Sequence, residues 1–505
     1  MSRNYLEKIL NAHVYQVAHE TPLDHAVRLS ERLNNRILLK REDLQPVFSF
    51  KLRGACNKLA SLGENDTSHG VVAASAGNHA QGLALSARNK GIKCVIFMPV
   101  TTPTIKVNAV RQLGAQVILS GDNYDEASKT AQSHARENNL PFIHPYDDPD
   151  VIAGQGTVAM EILQRHHDPI HAIFVPVGGG GLIAGIAVYV KTIRPDIRII
   201  GVEPDDAPCM HQALLHKRRI VLPQVGIFAD GVAVKQAGKE PYRLAKKFVD
   251  EIMLVSADEM CAAIKDIYED TRAIVEPAGA LAVAGVKKYT TRENLSNQTL
   301  VAINSGANMN FDRLRHVAER AELGEQREAL LAVTIPEKPG SFARFCRTIG
   351  KRGITEFNYR FADKNAAHVF AGIELTQGES EKKSLISRLG ERGYEVQDLS
   401  SNEMAKLHIR YMVGGHAPAS VTDEKLYRFE FPERPGALLE FLRCVGTQWN
   451  ISLFHYRNHG ADYGRVLMGI QVPSEERKAF EGYLKSLNYP YWQEQENPAY
   501  TLFLR

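Results

Sequence analysis

Cysteine is scarce in this sequence. Its six residues, Cys56, Cys94, Cys209, Cys261, Cys346 and Cys444, are spread over 505 positions, and no two form a C-x-x-C unit. That spacing excludes a zinc ribbon or a redox pair, and so few thiols cannot staple a chain this long. An excess of charge of one sign is also lacking. Sixty-one Lys and Arg against 58 Asp and Glu leave a formal net charge of +3. The electrostatic attraction behind nucleic-acid binding therefore has no source, and no nucleic-acid partner is expected. With 44% hydrophobic residues the chain is not of the disordered class. Residues 1–7 lack the apolar core of a signal peptide. One uncharged run, residues 172–190, nears the roughly 20 residues of a membrane span, but Pro176 and four consecutive glycines interrupt it. Strand, loop and helix describe it better. The expectation is a soluble, cytoplasmic protein with no membrane segment and no metal centre.

What is present is alternation. From Arg36 to about Asn304, short β-branched runs alternate with turns and amphipathic helical stretches. Strands are predicted at 37–39, 71–73, 94–97, 117–119, 173–175, 197–200 and 300–303. Such continuous apolar runs suit parallel strands buried on both faces. Helices are predicted between them, for example at 104–113 and 124–138, the latter capped by Asn123. This is an α/β architecture with ligands expected at the carboxyl ends of strands. Some 320 residues exceed one ordinary core, so two α/β lobes with a cleft are expected.

A second architecture follows a polar break at 324–329 and contains an internal repeat. Leu331-Ala-Val-Thr-Ile-Pro-Glu-Lys-Pro-Gly340 is echoed by Tyr427-Arg-Phe-Glu-Phe-Pro-Glu-Arg-Pro-Gly436. Each string leads into a helix (341–351; 437–448), then strands at 354–360 and 370–375, or 451–457 and 467–472. The order β-α-β-β-α-β is the ferredoxin-like plan. The expected domains are 1–324, with two lobes, and α+β repeats at 330–402 and 425–505.

Three strings in the first region carry chemistry. Gly178, Gly179, Gly180 and Gly181, with Leu182, follow a predicted strand and open an apolar helix. Without Cβ atoms, backbone N–H groups can converge on an anion at the helix's positive end. Tight packing is the structural alternative; the spacing fails the dinucleotide pattern G-x-G-x-x-G, which favours a phosphate without a dinucleotide. Lys51, in Ser49-Phe50-Lys51-Leu52-Arg53-Gly54, is either a surface lysine with buried neighbours or a buried amine fit for Schiff-base chemistry. Ser75-Ala76-Gly77-Asn78-His79, after another strand, suits a carboxylate. Amine, phosphate cradle and carboxylate loop together are what a pyridoxal phosphate enzyme acting on an amino acid requires.

In this order the three strings resemble the fold-type II pyridoxal phosphate family, nearest its serine/threonine dehydratase branch. The tandem C-terminal repeats resemble the ACT-like regulatory repeats of biosynthetic threonine deaminases. The resemblance spans nearly the whole chain. It implies that Lys51 binds pyridoxal 5'-phosphate covalently, with Phe50 beside the ring and Asn78 bonded to the ring's 3'-oxygen. It implies a phosphate cradle at Gly178 to Gly181 with Leu182, and Ser305 facing the pyridine nitrogen. A neutral serine there makes the ring a weaker electron sink than a carboxylate would, which suits an elimination. Ser75, Ala76, Gly77 and His79 are implied to shape the substrate-carboxylate pocket. Ala76, where racemase-like members carry serine, has no proton to give to Cα.

The implied reaction takes L-threonine, with L-serine secondary, to 2-oxobutanoate and ammonia, as the first step of isoleucine biosynthesis. Lys51 is the base. A serine-preferring catabolic enzyme and an inactive amino-acid sensor are the competing readings. The family further implies feedback inhibition by L-isoleucine, opposed by L-valine, in a homotetramer. Effector contacts are expected at Gly340, Phe342, Asn358, Gly436, Leu438 and His455, unless the repeats serve assembly alone. Simpler roles are expected elsewhere: Glu203, Asp205 and Asp206 as solvated loop acids rather than a metal site, Glu276 as a helix cap with a supporting role near the cofactor as the alternative, and Thr21-Pro22-Leu23 as a helix-entry turn that by resemblance also borders the substrate cleft.

Overall fold

The computed structural model describes residues 2–226, 228–311, 313–362, 364–412, 414–432, 436–445, 448–457, 463–487, 489–498, 500 and 504. They fall into two compact units, Met1–Ala321 and Glu322–Arg505. The predicted turn residues Glu433, Arg434 and Pro435 lie outside the described residues.

In the first unit, the described residues form one sheet of six strands and one of three. The larger runs Leu23–His25, Arg36–Arg41, Thr299–Asn304, Ala172–Pro176, Arg198–Pro204, Glu251–Val255. All its pairings are parallel except that of the short edge strand Leu23–His25. Its side chains alternate between two cores: Leu39, Phe174, Ile200 and Ala302 pack into one, and Leu38, Ile173, Ile199 and Ile303 into the other. This period of two, apolar on both sides, is why these strands read as unbroken hydrophobic runs. The smaller sheet joins Val71–Ala74, Cys94–Met98 and Gln116–Leu119 in parallel. Beside it the helix Tyr124–Glu137 starts where expected, Asn123 accepting the Glu126 N–H. Two strands were not expected. Leu23–His25 belongs to the segment read as a helix-entry turn, and Glu251–Val255 closes the far edge.

Four fully buried charges knit the centre of this unit. Arg53 Nε and Nη2 donate to Glu42 at 2.7 and 2.8 Å, and Nη1 and Nη2 donate to Glu161 at 2.5 and 2.9 Å. Lys40 Nζ donates to Glu161 at 2.5 Å and to the Thr21 carbonyl at 2.6 Å. Burial pushes the Glu42 carboxyl up, but the Arg53 guanidinium outweighs it and holds Glu42 below the ordinary carboxylate range. Two cations and two anions thus balance in a space closed to solvent.

The second unit carries an antiparallel sheet of eight strands among the described residues. Its first half is ordered Glu395–Asp398, Glu328–Pro336, Ala366–Glu374, Ile354–Arg360, and its second half mirrors this as Asn450–Arg457, Tyr463–Gln471, Glu424–Pro432, Tyr491–Gln493. The two second strands pair at the centre, with Asn358 opposite His455. The repeats are therefore related by a local two-fold through that pair. Gly340 and Gly436 occupy matching positions before the helices Ser341–Ile349 and Ala437–Val445, with φ of 84° and 87°. A side chain there would be strained, which explains why both repeats carry glycine.

Arg53→Ala leaves Glu42 and Glu161 buried without their main counter-charge. A loss of about 3–5 kcal/mol is expected, read as a lowered urea midpoint; an unchanged midpoint would show the network does not hold the core.

Candidate functional site

Three strand ends of the first unit meet at one cavity of about 480 Å³. Thr299–Asn304 delivers Ser305, Ala172–Pro176 delivers the glycine loop, and Val71–Ala74 leads through residues 75–77 to Asn78. Phe50 and Lys51 arrive at the start of the helix Lys51–Ser61. Phe50 N–H donates to the Ser305 carbonyl at 3.2 Å and Ser49 bridges to Gly306. These ties hold Lys51 beside the end of the central strand.

Lys51, half-buried, lines the cavity, and desolvation lowers its amine to about 8 against the opposing pull of the Glu276 charge. At that value a useful fraction is neutral near physiological pH, as a nucleophilic or basic lysine needs.

The glycine loop is closely packed. A Cβ on Gly179 would stand 2.3 Å from the Tyr146 ring, one on Gly178 2.9 Å from Val232 Cα, and one on Gly180 2.5 Å from Met210 Cε. Close packing therefore excludes side chains along the loop. Gly180 has φ 94° and no side chain caps the helix Gly181–Ile193 that follows. Gly181 and Leu182, its first residues, line the cavity, with the positive end of a thirteen-residue helix behind their N–H groups. Donors of this kind suit a phosphate.

Asn78 is fixed at both ends of its amide. Its Nδ2 donates to Glu276 Oε1 at 2.6 Å, and its Oδ1 accepts from Asn308 Nδ2 at 2.6 Å. Ser305 Oγ, buried, donates to the Ala278 carbonyl at 3.3 Å. Glu276 makes no cap: its side chain bonds none of the N–H groups of the helix Pro277–Arg292. It is instead a buried wall of the cavity, its carboxyl raised to about 7 by desolvation, with Asp230 adding to the shift. The pattern Glu-Pro at a helix start left both roles open, since a cap and a site acid look alike in sequence.

Ser75, Ala76, Gly77 and His79 do not line this cavity. Ser75, Ala76 and Gly77 form a half-buried loop beside Asn78, Ser75 Oγ accepting the Gly77 N–H at 3.2 Å. The His79 ring is buried, with Nε2 3.0 Å from the Ile143 carbonyl. Burial, helped by the Lys51 charge, lowers it to about 3, so it is neutral and donates to that carbonyl. Glu203 also departs from expectation. It is fully buried and accepts the Met210 and His211 N–H groups at 2.8 Å, with desolvation raising it to about 8. Asp205 and Asp206 are exposed.

In the second unit the expected effector residues fall into two sets, Gly340, Phe342 and Asn358 in the first repeat and Gly436, Leu438 and His455 in the second. Phe342 packs edge-on to Phe357 and Tyr359 on the helix-covered face of the sheet. Asn358, one residue along the strand, faces the other side, where its Nδ2 reaches the Arg410 carbonyl at 3.4 Å. His455 pairs with it across the two-fold. Gly436 and Leu438 line a hollow of about 250 Å³ with Arg352, Ile354 and Tyr456; Gly340 and Phe342 do not.

Residues 14–306 match the family model described as pyridoxal-phosphate dependent enzyme. Residues 319–409 and 415–504 each match the C-terminal regulatory domain of threonine dehydratase. The chain is 56% identical over 506 aligned residues to L-threonine dehydratase biosynthetic IlvA of Burkholderia multivorans, covering 100% of this chain and 99% of that one. It is 53% identical to the protein of the same name from Escherichia coli, covering 99% and 97%. Among solved structures, the processed form of threonine deaminase isoform 2 from Solanum lycopersicum superposes with a TM-score of 0.63 at 47% identity, covering 64% of this chain and 88% of that one.

With the Lys51 amine at about 8, uptake of pyridoxal phosphate by the cofactor-free protein is expected to slow about tenfold per pH unit below that value and to level off above it. A stopped-flow pH series checks this. A flat profile between pH 6 and 9 would mean that the amine is not the group titrating.

Proposed function

The chain belongs to the biosynthetic threonine dehydratases, a family of pyridoxal-phosphate dependent enzymes, and from that premise we propose the residues by which it turns L-threonine into 2-oxobutanoate and ammonia. This is the first step of isoleucine biosynthesis. The observation that carries the reading is a lysine amine lowered to about 8 in the same cavity as an uncapped glycine-rich helix start.

Pyridoxal phosphate, when bound, supplies an electron-withdrawing ring that acidifies the substrate's Cα–H. The residues present fit it. The N–H groups around Gly178, Gly179, Gly180, Gly181 and Leu182 hold the phosphate dianion against the helix dipole. Lys51 Nζ is the attachment point and, once free, the base that takes the Cα proton. Asn78 offers an N–H to the ring oxygen. Ser305 offers a neutral hydroxyl to the ring nitrogen in exchange for its long bond to the Ala278 carbonyl. Phe50 and the apolar wall around Val232 and Ala278 exclude water, which sharpens every polar contact inside. Ser75, Ala76 and Gly77 lead directly into the cavity-lining Asn78, which supports reading their loop as the one that meets the substrate carboxylate. Ala76 has no proton to return to Cα, so elimination is favoured over racemisation. His79, neutral and bonded to a carbonyl, braces this loop rather than giving charge to the substrate. L-Serine, which lacks only the methyl group, is the secondary substrate.

The tandem repeats are read as the allosteric part: L-isoleucine inhibits and L-valine opposes it. The hollow at Gly436 and Leu438 supports an effector site on the helix side of the sheet. His455, half-buried on the two-fold, suits contact with a second chain, in keeping with a homotetramer. A cytoplasmic location is part of the proposal; among the described residues no helix is long and apolar enough to cross a membrane.

A 2-oxoacid assay tests the reading. L-Threonine turnover should exceed L-serine turnover, become sigmoidal and fall with L-isoleucine. A truncation ending near residue 324 should remain coloured and ignore L-isoleucine. Inhibition retained in the truncation would move the effector site into the catalytic unit; no oxoacid from either substrate would defeat the functional reading.

A further inference from the structure

Glu276 is a buried acid in the cavity wall that the reaction above does not use as an acid or base. Its environment is tightly defined. Its Oε1 lies where a Cβ on Gly306 would come within 2.7 Å and one on Gly231 within 3.3 Å, so two glycines leave it room. Its own N–H donates to the Gly306 carbonyl at 3.1 Å, which ties it to the strand end carrying Ser305. The carboxylate is thus held on one side by backbone and meets Asn78 on the other.

The direction of the hydrogen bonds here is fixed by what each partner can do. Asn308 Nδ2 donates to the Val47 carbonyl at 2.8 Å, and a carbonyl can only accept, so the amide end of Asn308 points inward. The Asn78 atom 2.6 Å from that same nitrogen must then be its oxygen. This sets the Asn78 nitrogen against Glu276 Oε1, also at 2.6 Å. One N–H of Asn78 is used on Glu276 and one remains. A flipped amide would present a lone pair to Glu276, carboxylate against carbonyl oxygen, which is repulsive.

We propose that Glu276 is a positioning residue for the reaction: with Asn308 it locks the Asn78 amide so that a single N–H is left to donate to the anionic oxygen on the bound cofactor's ring. The carboxylate polarises that amide, since a charged acceptor at one N–H strengthens donation along the chain of bonds. Lys51, Asp230 and Lys106 are the charged groups whose fields reach Glu276, so the lock sits under the same field as the reacting amine. The inference rests on the proposed role of Asn78.

The test is a double-mutant cycle on the full-length protein, read by cofactor affinity and by the absorption spectrum of the bound cofactor, in addition to turnover. In wild type, pyridoxal phosphate binds and Asn78→Ala weakens it; failure of either would defeat the functional reading itself. Given those results, Glu276→Ala and Asn308→Ala should each weaken cofactor affinity on the order of tenfold and shift the spectrum as Asn78→Ala does. In the Asn78→Ala background, neither should weaken it further. Glu276→Gln, whose carboxamide oxygen can still accept from Asn78, should stay within about threefold of wild type and keep the wild-type spectrum. Additive losses in the double variants, or a Glu276→Gln as weak as Glu276→Ala, would overturn the proposal.

Discussion

Arg53 is two residues past Lys51 on the same helix, and every nitrogen of its guanidinium is committed to a buried partner. That commitment is the constraint on which the catalytic unit depends. Glu42 follows a central strand and Glu161 lies on the long helix Pro149–Arg165, so one side chain ties three elements together at fixed geometry. Buried ion pairs are a poor source of net stability, since desolvation offsets most of the attraction. What such a cluster provides is registry. A bidentate guanidinium tolerates little sliding, so the first turn of the helix, and Lys51 with it, is held in place beside Ser305.

The same exclusion of water explains the chemistry of the cavity. Lys51 is lowered to about 8, Glu276 is raised to about 7 and His79 is lowered to about 3, and in all three the leading cause is burial. Desolvation favours the neutral form of each group irrespective of its sign. A lysine so placed is ready to act as nucleophile and base, and a histidine so placed is an inert donor. The glycine loop supplies the opposite property, backbone N–H groups that cannot titrate and hold a phosphate at any pH in the working range.

Much of this was legible in the sequence because the cause was local. Unbroken apolar runs identified the parallel strands, since both faces of that sheet are buried. The tetraglycine string and Lys51 were legible because backbone access and an amine flanked by apolar residues have few substitutes. The Pro-Gly echo exposed the duplication, as the matched left-handed Gly340 and Gly436 explain. Failures arose where the cause was distant. Glu276 owes its role to Asn78, 198 positions away, and no local pattern separates it from a cap. Glu203 looked like a loop acid beside Asp205 and Asp206, but a helix start folds over it. The strand Leu23–His25 exists only because Arg36–Arg41 lies alongside. Alternation along a strand is local again: Asn358 stands between Phe357 and Tyr359 and is set on the opposite face from both.

The account's central claim is that Lys51 is the amine that carries the cofactor. Borohydride reduction of the coloured protein, followed by proteolysis and mass spectrometry, tests it directly. The account predicts one pyridoxyl label, on the peptide containing Lys51, with Lys40 and Lys58 unlabelled. A label on either of those lysines, or a reduced protein with none, would contradict it.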